Sequence, residues 1–273
     1  METAILLVLL YLLMSPKIAQ RLYNTVLFYP DKEQEDLYKI NSVAGFNIED
    51  LSFNSPTGKE LHGWLLRNPH SDKLILVNHG NAGNISHRAW LAKLLLESGS
   101  SVFLYDYQGY GRSKGSPSIA GITQDGLSAF DFAVGKLGFD PNSIILFGES
   151  LGSGVACQIA MVRPSRALIL QSPFSSLRNI ACEKLPWLRL YPNPLMVSPD
   201  LDNLTALKSY KQPVLIIHGK MDKLVPFYHG ERLFHIAGES KKLICLETAG
   251  HNNVYDCDPP SYTETIKDFL SSI

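Results

Sequence analysis

Residues 143–154 have the sequence SIILFGESLGSG, which is the strongest fold signal in the chain. The apolar run at 144–147 predicts a buried strand, and the segment at 151–161 predicts a helix. Ser150 lies between them, at the centre of a Gly-x-Ser-x-Gly motif. A strand that turns sharply into a helix with serine at its apex is a nucleophile elbow, because the turn holds the hydroxyl clear of the sheet. The alternative is a glycine-rich turn with a solvent-exposed serine.

On both sides of this stretch, short apolar runs alternate with helix-like segments. After a predicted hairpin, further strands are predicted at 74–77, 101–105, 167–170, 214–217 and 242–246, and helices at 87–97, 123–137, 228–237 and 261–272. This alternation predicts an α/β fold with a mostly parallel central sheet and helices on both faces. A proline-rich, apolar insertion at about 172–210 breaks the pattern. It predicts a short lid over the site or, alternatively, a packed helical excursion without a gating role.

The first 28 residues form a separate hydrophobic segment. Glu2 precedes the apolar run, Lys17 and Arg21 follow it, and the cationic start and small-residue cleavage site of a secretory signal are missing. We therefore expect a membrane-associating helix at 1–28, a linker at 29–45 and the main domain at 46–273. From these cations we expect that domain to lie on the cytoplasmic side. The alternatives are a helix docked on the fold and an atypical signal peptide of an exported protein.

Composition narrows the class of protein. The 273-residue chain has a net charge of −1 and no block of lysines and arginines, which argues against nucleic-acid binding. Its four cysteines form no C-x-x-C pair, so a zinc ribbon is disfavoured. A hydrophobic content of 45% is that of an ordinary globular core. We expect a monomer.

A serine hydroxyl becomes a nucleophile when a base removes its proton, and that base needs an acid to orient it. In folds with this elbow, the chain order is nucleophile, acid, histidine. Asp222 follows the strand at 214–217 and His251 follows the strand at 242–246, so both have the required order. Rival acids lie in the insertion or after the histidine: Asp200, Asp202, Asp256 and Asp258.

The strand at 74–77 runs into a loop with the sequence NHGNAGN at residues 78–84. Gly80 and Gly83 allow backbone amides to approach a ligand closely. We expect the backbone amides of Asn81 and Leu151 to form an oxyanion hole, since Leu151 begins a helix whose first amides have no intrahelical acceptor. The alternative for this loop alone is a glycine-rich strand-to-helix turn.

Five motifs occur together in one order: HGN at 79–81, DYQGYGRS at 106–113, GESLG at 148–152, the turn at Asp222 and GH at 250–251. In this combination the chain resembles the α/β-hydrolase superfamily over about residues 46–273. More narrowly, it resembles the membrane-anchored branch of protein depalmitoylases and monoacylglycerol or lysophospholipid lipases. The resemblance implies a serine hydrolase that cleaves carboxylic esters or thioesters through an acyl-enzyme on Ser150, without a metal or an organic cofactor. It also implies that the 106–113 loop shapes the floor of the site.

The apolar insertion and the N-terminal segment favour a lipid-like acyl group as substrate. Two alternatives remain open. The first is a peptidase or acyl-aminopeptidase, because the same three side chains cleave amides, although the chain has no accessory domain to select peptides. The second is a catalytically silent, membrane-tethered binding protein that keeps the fold without turnover.

Overall fold

An eight-stranded sheet forms the centre of the protein in the computed structural model, which describes residues 1–33 and 47–273. In chain order, the strands of the described residues are β1 (Tyr29–Pro30), β2 (Ile48–Asn54), β3 (Glu60–Leu66), β4 (Leu74–Asn78), β5 (Ala82–Gly83), β6 (Ser101–Tyr105), β7 (Ile144–Glu149), β8 (Ala167–Gln171), β9 (Val214–Gly219) and β10 (Lys241–Leu246). The sheet has the order β10-β9-β8-β7-β4-β6-β3-β2, and β1 pairs separately with β5.

Strand direction follows the predicted pattern. All neighbouring pairs from β10 to β6 are parallel, whereas β2–β3 and β3–β6 are antiparallel. The central strands β4, β6 and β8 are buried at every residue, as expected for parallel strands covered on both faces. The mostly parallel sheet confirms the predicted α/β fold class.

Helices pack on both faces of the sheet and create two apolar cores. The helices of the described residues are α1 (Glu2–Leu13), α2 (Gln20–Leu27), α3 (Ala89–Glu97), α4 (Ile119–Gly135), α5 (Leu151–Val162), α6 (Leu177–Lys184), α7 (Asn203–Ser209), α8 (Tyr228–Ile236) and α9 (Pro259–Ser271). One core includes residues from α4, α5, α7 and α8, and the other includes residues from α3 and α9.

The N-terminal segment contains two helices, so the predicted single helix at 1–28 is wrong. The chain leaves helical geometry at Met14 and resumes it only at Gln20. Pro16 lies in this break, and proline cannot donate the backbone hydrogen bond that a continuous helix requires. Within residues 1–33 and 47–273, no helix is both long and apolar enough to cross a bilayer.

The end of α1 and the break after it are attached to the insertion at 172–210. The Tyr11 ring stacks on Tyr191 with 4.7 Å between centroids, and its hydroxyl donates to the carbonyl of Leu190 at 2.7 Å. The amide of Lys17 donates to the carbonyl of Leu195 at 3.0 Å. The insertion itself forms α6, α7 and short 3₁₀ turns. Its movement as a lid stays a prediction.

The start of the predicted linker has regular structure. Tyr29 and Pro30 form β1, which pairs in parallel with Ala82 and Gly83 of β5. This pairing brings the N-terminal segment against the loop after β4. The rest of the linker, from residue 34 onward, lies outside the described residues.

Candidate active site

Ser150 sits at the sharp turn between β7 and α5, with a φ of 51° and a ψ of −114°. A positive φ is strained for a residue with a side chain, and such strain persists only where the surroundings enforce it. Here the backbone passes so close to neighbouring chain that a Cβ at Gly148 would collide with Ser153, and one at Gly152 would collide with Asn78. The two glycines therefore permit the turn that presents the Ser150 hydroxyl.

The structure brings together the three predicted side chains at the carboxyl ends of the parallel strands. His251 Nε2 lies 2.9 Å from Ser150 Oγ, and His251 Nδ1 lies 2.6 Å from Asp222 Oδ2. Asp222 follows β9 and His251 follows β10. A hydroxyl, an imidazole and a carboxylate in this sequence of hydrogen bonds can pass a proton from the serine to the histidine.

Asp222 is held in its ionised form. Its Oδ1 atom accepts hydrogen bonds from the backbone amides of Leu224 and Val225 at 2.9 and 2.8 Å. Burial by itself raises the pKa of Asp222, but hydrogen bonds from His218 and His251 outweigh burial and keep the pKa well below its ordinary value. An ionised carboxylate that is fixed in this way orients the His251 ring and favours a proton on Nδ1.

The predicted oxyanion donors, Asn81 and Leu151, line the same cavity as Ser150. Leu151 is the first residue of α5, so its amide has no intrahelical acceptor. Among the described residues, no acceptor meets the amide of Asn81 either. Both amides are therefore available to a ligand.

Side chains around the β4–β5 loop fix its backbone. The peptide group that carries the Asn81 N–H also carries the Gly80 carbonyl, to which His79 Nδ1 donates at 2.7 Å. Burial lowers the pKa of His79 to about 3, so this ring is neutral. From the 106–113 loop, the Tyr107 hydroxyl donates to His79 O and the Tyr110 hydroxyl to Asn81 O, at 3.0 and 2.7 Å. These hydrogen bonds from the 106–113 loop thus fix the loop that presents Asn81.

An apolar cavity of about 390 Å³ opens beside Ser150. Its walls come from α2, for example Tyr23 and Leu27, and from the insertion, for example Ile180, Ala181 and Met196. Cavities of this size and lining accept small organic ligands with a substantial apolar part. Among residues 1–33 and 47–273, no cluster of three or more His, Cys, Asp and Glu side chains is arranged to hold a metal ion.

Two further residues lie near the site. His218 Nε2 lies 3.4 Å from Asp222 Oδ2 and donates to the carbonyl of Val225 at 2.8 Å. Its position four residues before Asp222, at the end of β9, was the available signal. Glu149 accepts a hydrogen bond from the amide of Gly80 at 3.2 Å. No local pattern indicated that contact, because the two residues are 69 positions apart.

Comparison with known proteins relates most of the chain to one family. A family model described as serine aminopeptidase, S33 matches residues 69–199. The uncharacterized protein Rv2307c of Mycobacterium tuberculosis is 38% identical over 226 residues, covering 81% of this chain and 79% of its own. YfhR of Escherichia coli K12 is 31% identical and covers 93% of this chain and 89% of its own. The lysophosphatidylserine lipase ABHD12 of Xenopus tropicalis is 30% identical, covering 93% of this chain and 70% of its own.

Solved structures agree on the fold. The esterase Pf2001 of Pyrococcus furiosus superposes with a TM-score of 0.73 at 21% identity, covering 89% of this chain and 98% of that one. An α/β-hydrolase of Vibrio vulnificus superposes with a TM-score of 0.69 at 19% identity, covering 90% and 97%. The family model and the lipase relative, together with the shared fold, confirm the resemblance inferred from the five motifs, and the chain belongs to the α/β-hydrolase superfamily as a hydrolase.

Proposed function

We propose that this hydrolase cleaves carboxylic esters or thioesters of lipid-like acyl groups through an acyl-enzyme on Ser150. The observation that carries the proposal is the hydrogen-bonded chain from Ser150 through His251 to Asp222, beside an apolar cavity. Serine nucleophiles need this arrangement of base and orienting acid, and an acyl chain needs an apolar site.

In the proposed mechanism, Ser150 Oγ attacks the carbonyl carbon while His251 Nε2 takes its proton. Asp222 keeps the other ring proton on Nδ1 and stabilises the imidazolium that forms. The amides of Asn81 and Leu151 hold the carbonyl oxygen as it becomes an oxyanion. His251 then protonates the leaving alcohol or thiol, which departs. Water, activated by His251, finally attacks the acyl-enzyme and releases the acid.

The substrate class rests on the cavity lining. Apolar side chains from α2, α6 and the segment at 196–197 surround the space next to Ser150. Burial of each methylene of an acyl chain in such a site contributes about 0.8 kcal/mol. The name of the Xenopus relative, a lysophosphatidylserine lipase, supports a lipid-like substrate for this chain as well.

We further infer that the N-terminal segment binds a membrane surface, with the main domain on the cytoplasmic side. In α1, the side chains of Leu6, Leu7 and Val8 are 62%, 63% and 58% exposed, and none of the helix is buried. An exposed apolar surface of this kind marks an interaction site. With 12 residues it is about 18 Å long, which fits partial insertion and falls short of the roughly 30 Å hydrocarbon core.

Hydrolysis of nitrophenyl esters of increasing chain length tests the proposal. The wild-type protein is expected to turn over these esters and to react with a fluorophosphonate probe. Ser150→Ala should remain folded and lose both properties, because the hydroxyl is the nucleophile. Turnover by Ser150→Ala at the wild-type rate would refute the assignment, and absence of both reactions in the wild-type protein would favour the silent binding protein.

A second candidate function is a peptidase or acyl-aminopeptidase. The family model's description as a serine aminopeptidase favours it, and one acidic side chain, Asp200, lines the cavity where it could meet an amine. The two functions differ in the bond cleaved. Measurement of kcat/KM on the ester and the anilide of one acyl group separates them, since a peptidase turns over both substrates and the proposed esterase turns over only the ester.

A further inference from the structure

The largely buried ion pair between Glu149 and Arg88 connects the two halves of the proposed oxyanion hole. Glu149 is the last residue of β7 and directly precedes Ser150, so its backbone belongs to the elbow that carries the Leu151 amide. Its Oε2 atom accepts from the backbone amide of Gly80 at 3.2 Å. Gly80 directly precedes Asn81, which carries the other donor. One side chain therefore spans the gap between the two backbone segments.

Arg88 completes the connection from the other side. Its Nε donates to Glu149 Oε2 at 3.2 Å, and its Nη1 donates to the carbonyl of Asn84 at 3.4 Å. The two charged side chains are only 11% and 16% exposed. Since ion pairs with little solvent are weakly screened, the charge of each side chain acts strongly on its neighbours.

The charges of Glu149 and Arg88 lie near the point where negative charge develops in the proposed reaction. Negative charge develops on the substrate oxygen at the amides of Asn81 and Leu151 during the proposed reaction. An uncompensated carboxylate at Glu149 would oppose that charge. The Arg88 guanidinium neutralises the carboxylate, so Glu149 can hold the Gly80 amide without repelling the oxyanion.

We propose that Glu149 and Arg88 are positioning residues that fix the spacing of the two oxyanion amides, and that Arg88 also cancels the charge of Glu149 there. The inference rests on the proposed function, because it assigns a role within that reaction. Neither side chain contacts the reacting atoms in this account. Their effect is exerted through the Gly80–Asn81 backbone.

The test measures kcat, KM and thermal unfolding for Glu149→Ala, Glu149→Gln, Arg88→Met and the double variant Glu149→Gln/Arg88→Met, on a nitrophenyl ester. Glu149→Ala frees the Gly80 amide, so we expect kcat to fall about 10- to 100-fold with KM within about twofold. Glu149→Gln keeps an oxygen acceptor for that amide, so its kcat should be much closer to wild type than that of Glu149→Ala.

The double variant tests the charge argument. Arg88→Met leaves Glu149 ionised and unpaired, which is costly both to folding and to the oxyanion. The double variant also removes the negative charge of Glu149, so its kcat should be about threefold or more above that of Arg88→Met. The matched control is Arg163→Met, which breaks an exposed ion pair with Asp131 and should leave kcat unchanged.

Two results would overturn the inference. One is a folded Glu149→Ala protein with kcat within about twofold of wild type. The other is a double variant no more active than Arg88→Met. Failure of the proposed function is recognised separately, because the wild-type protein would then neither hydrolyse the ester nor react with the fluorophosphonate at Ser150.

Discussion

His251 and Asp222 are joined by a 2.6 Å hydrogen bond between Nδ1 and Oδ2, while the second carboxylate oxygen, Oδ1, accepts hydrogen bonds from two backbone amides. Backbone amides therefore fix the Asp222 carboxylate, and the carboxylate determines the ring orientation and the tautomer of the His251 imidazole.

We predict that Asp222→Asn lowers kcat about 10³- to 10⁴-fold on a nitrophenyl ester, because an amide NH₂ in place of Oδ2 favours the wrong imidazole tautomer. Steady-state kinetics of the purified variant provide the measurement. Asp256→Asn, an exposed position in the loop after His251, is the matched control and should keep wild-type activity. An Asp222→Asn protein within tenfold of wild type would remove Asp222 from the mechanism.

The cavity wall at α6 predicts how acyl-chain length is selected. Ala181 lines the cavity and Cys182, the next residue, does not. Ala181→Phe should fill part of the space, so kcat/KM for long-chain esters should fall about 10-fold or more, while the acetate ester is hydrolysed as before. Cys182→Phe is the control for added bulk on the same helix. An equal loss for long and short esters in Ala181→Phe would argue against this wall as the acyl site.

Much of the fold could be predicted from local patterns, because period and turn residues act over a few positions. The predicted strand at 101–105 matches β6 (Ser101–Tyr105). Helix α4 begins at Ile119, four residues before the predicted start, because the Ser118 side chain caps it by accepting from the amide of Gly121. That cap lies in a serine- and proline-rich stretch typical of a loop.

Sequence patterns could likewise identify one part of the candidate site but not the other. Ser150, Asp222 and His251 could be selected because their order and their positions after parallel strands bring them to one edge of the sheet. The contact between Glu149 and Gly80 and the pairing of β1 with β5 could not, because they join segments far apart in sequence. Local periodicity carries no information about which distant segments meet.

The exposed α1 helix predicts membrane binding that can be removed without loss of the active site. Leu6 and Leu9 are 62% and 51% exposed, so Leu6→Glu/Leu9→Glu should abolish flotation with phosphatidylcholine–phosphatidylserine vesicles. Hydrolysis of a short soluble ester should be unchanged. Ile236→Glu, at an exposed apolar position on α8 that is 39% exposed, is the control and should still float. Undiminished flotation of the double variant would exclude α1 as the membrane contact.

A buried carboxyl predicts how stability depends on pH. Burial raises the pKa of Asp125 to about 7. The Oδ2 atom of this side chain accepts a hydrogen bond from the amide of Gln108 at 2.8 Å, and the Oδ1 atom has no partner among the described residues. Because the folded pKa lies above the ordinary value, this group's favourable contribution is present at low pH and is lost as pH rises toward 7.

Asp125→Asn stays neutral at every pH, so its advantage in unfolding free energy over wild type should grow by about 2 kcal/mol between pH 5 and pH 8. Urea unfolding at the two pH values measures this difference. Asp131→Asn, at an exposed position on the same helix α4, should show no such growth. A constant difference for Asp125→Asn would show that the carboxyl does not titrate in this range.

The most direct measurement of the central claim is mass spectrometry of protein quenched during turnover of a long-chain nitrophenyl ester. The account predicts an added acyl mass on the peptide that contains Ser150, and no adduct or turnover with Ser150→Ala. An acyl group on a different residue, or full turnover by Ser150→Ala, would contradict it.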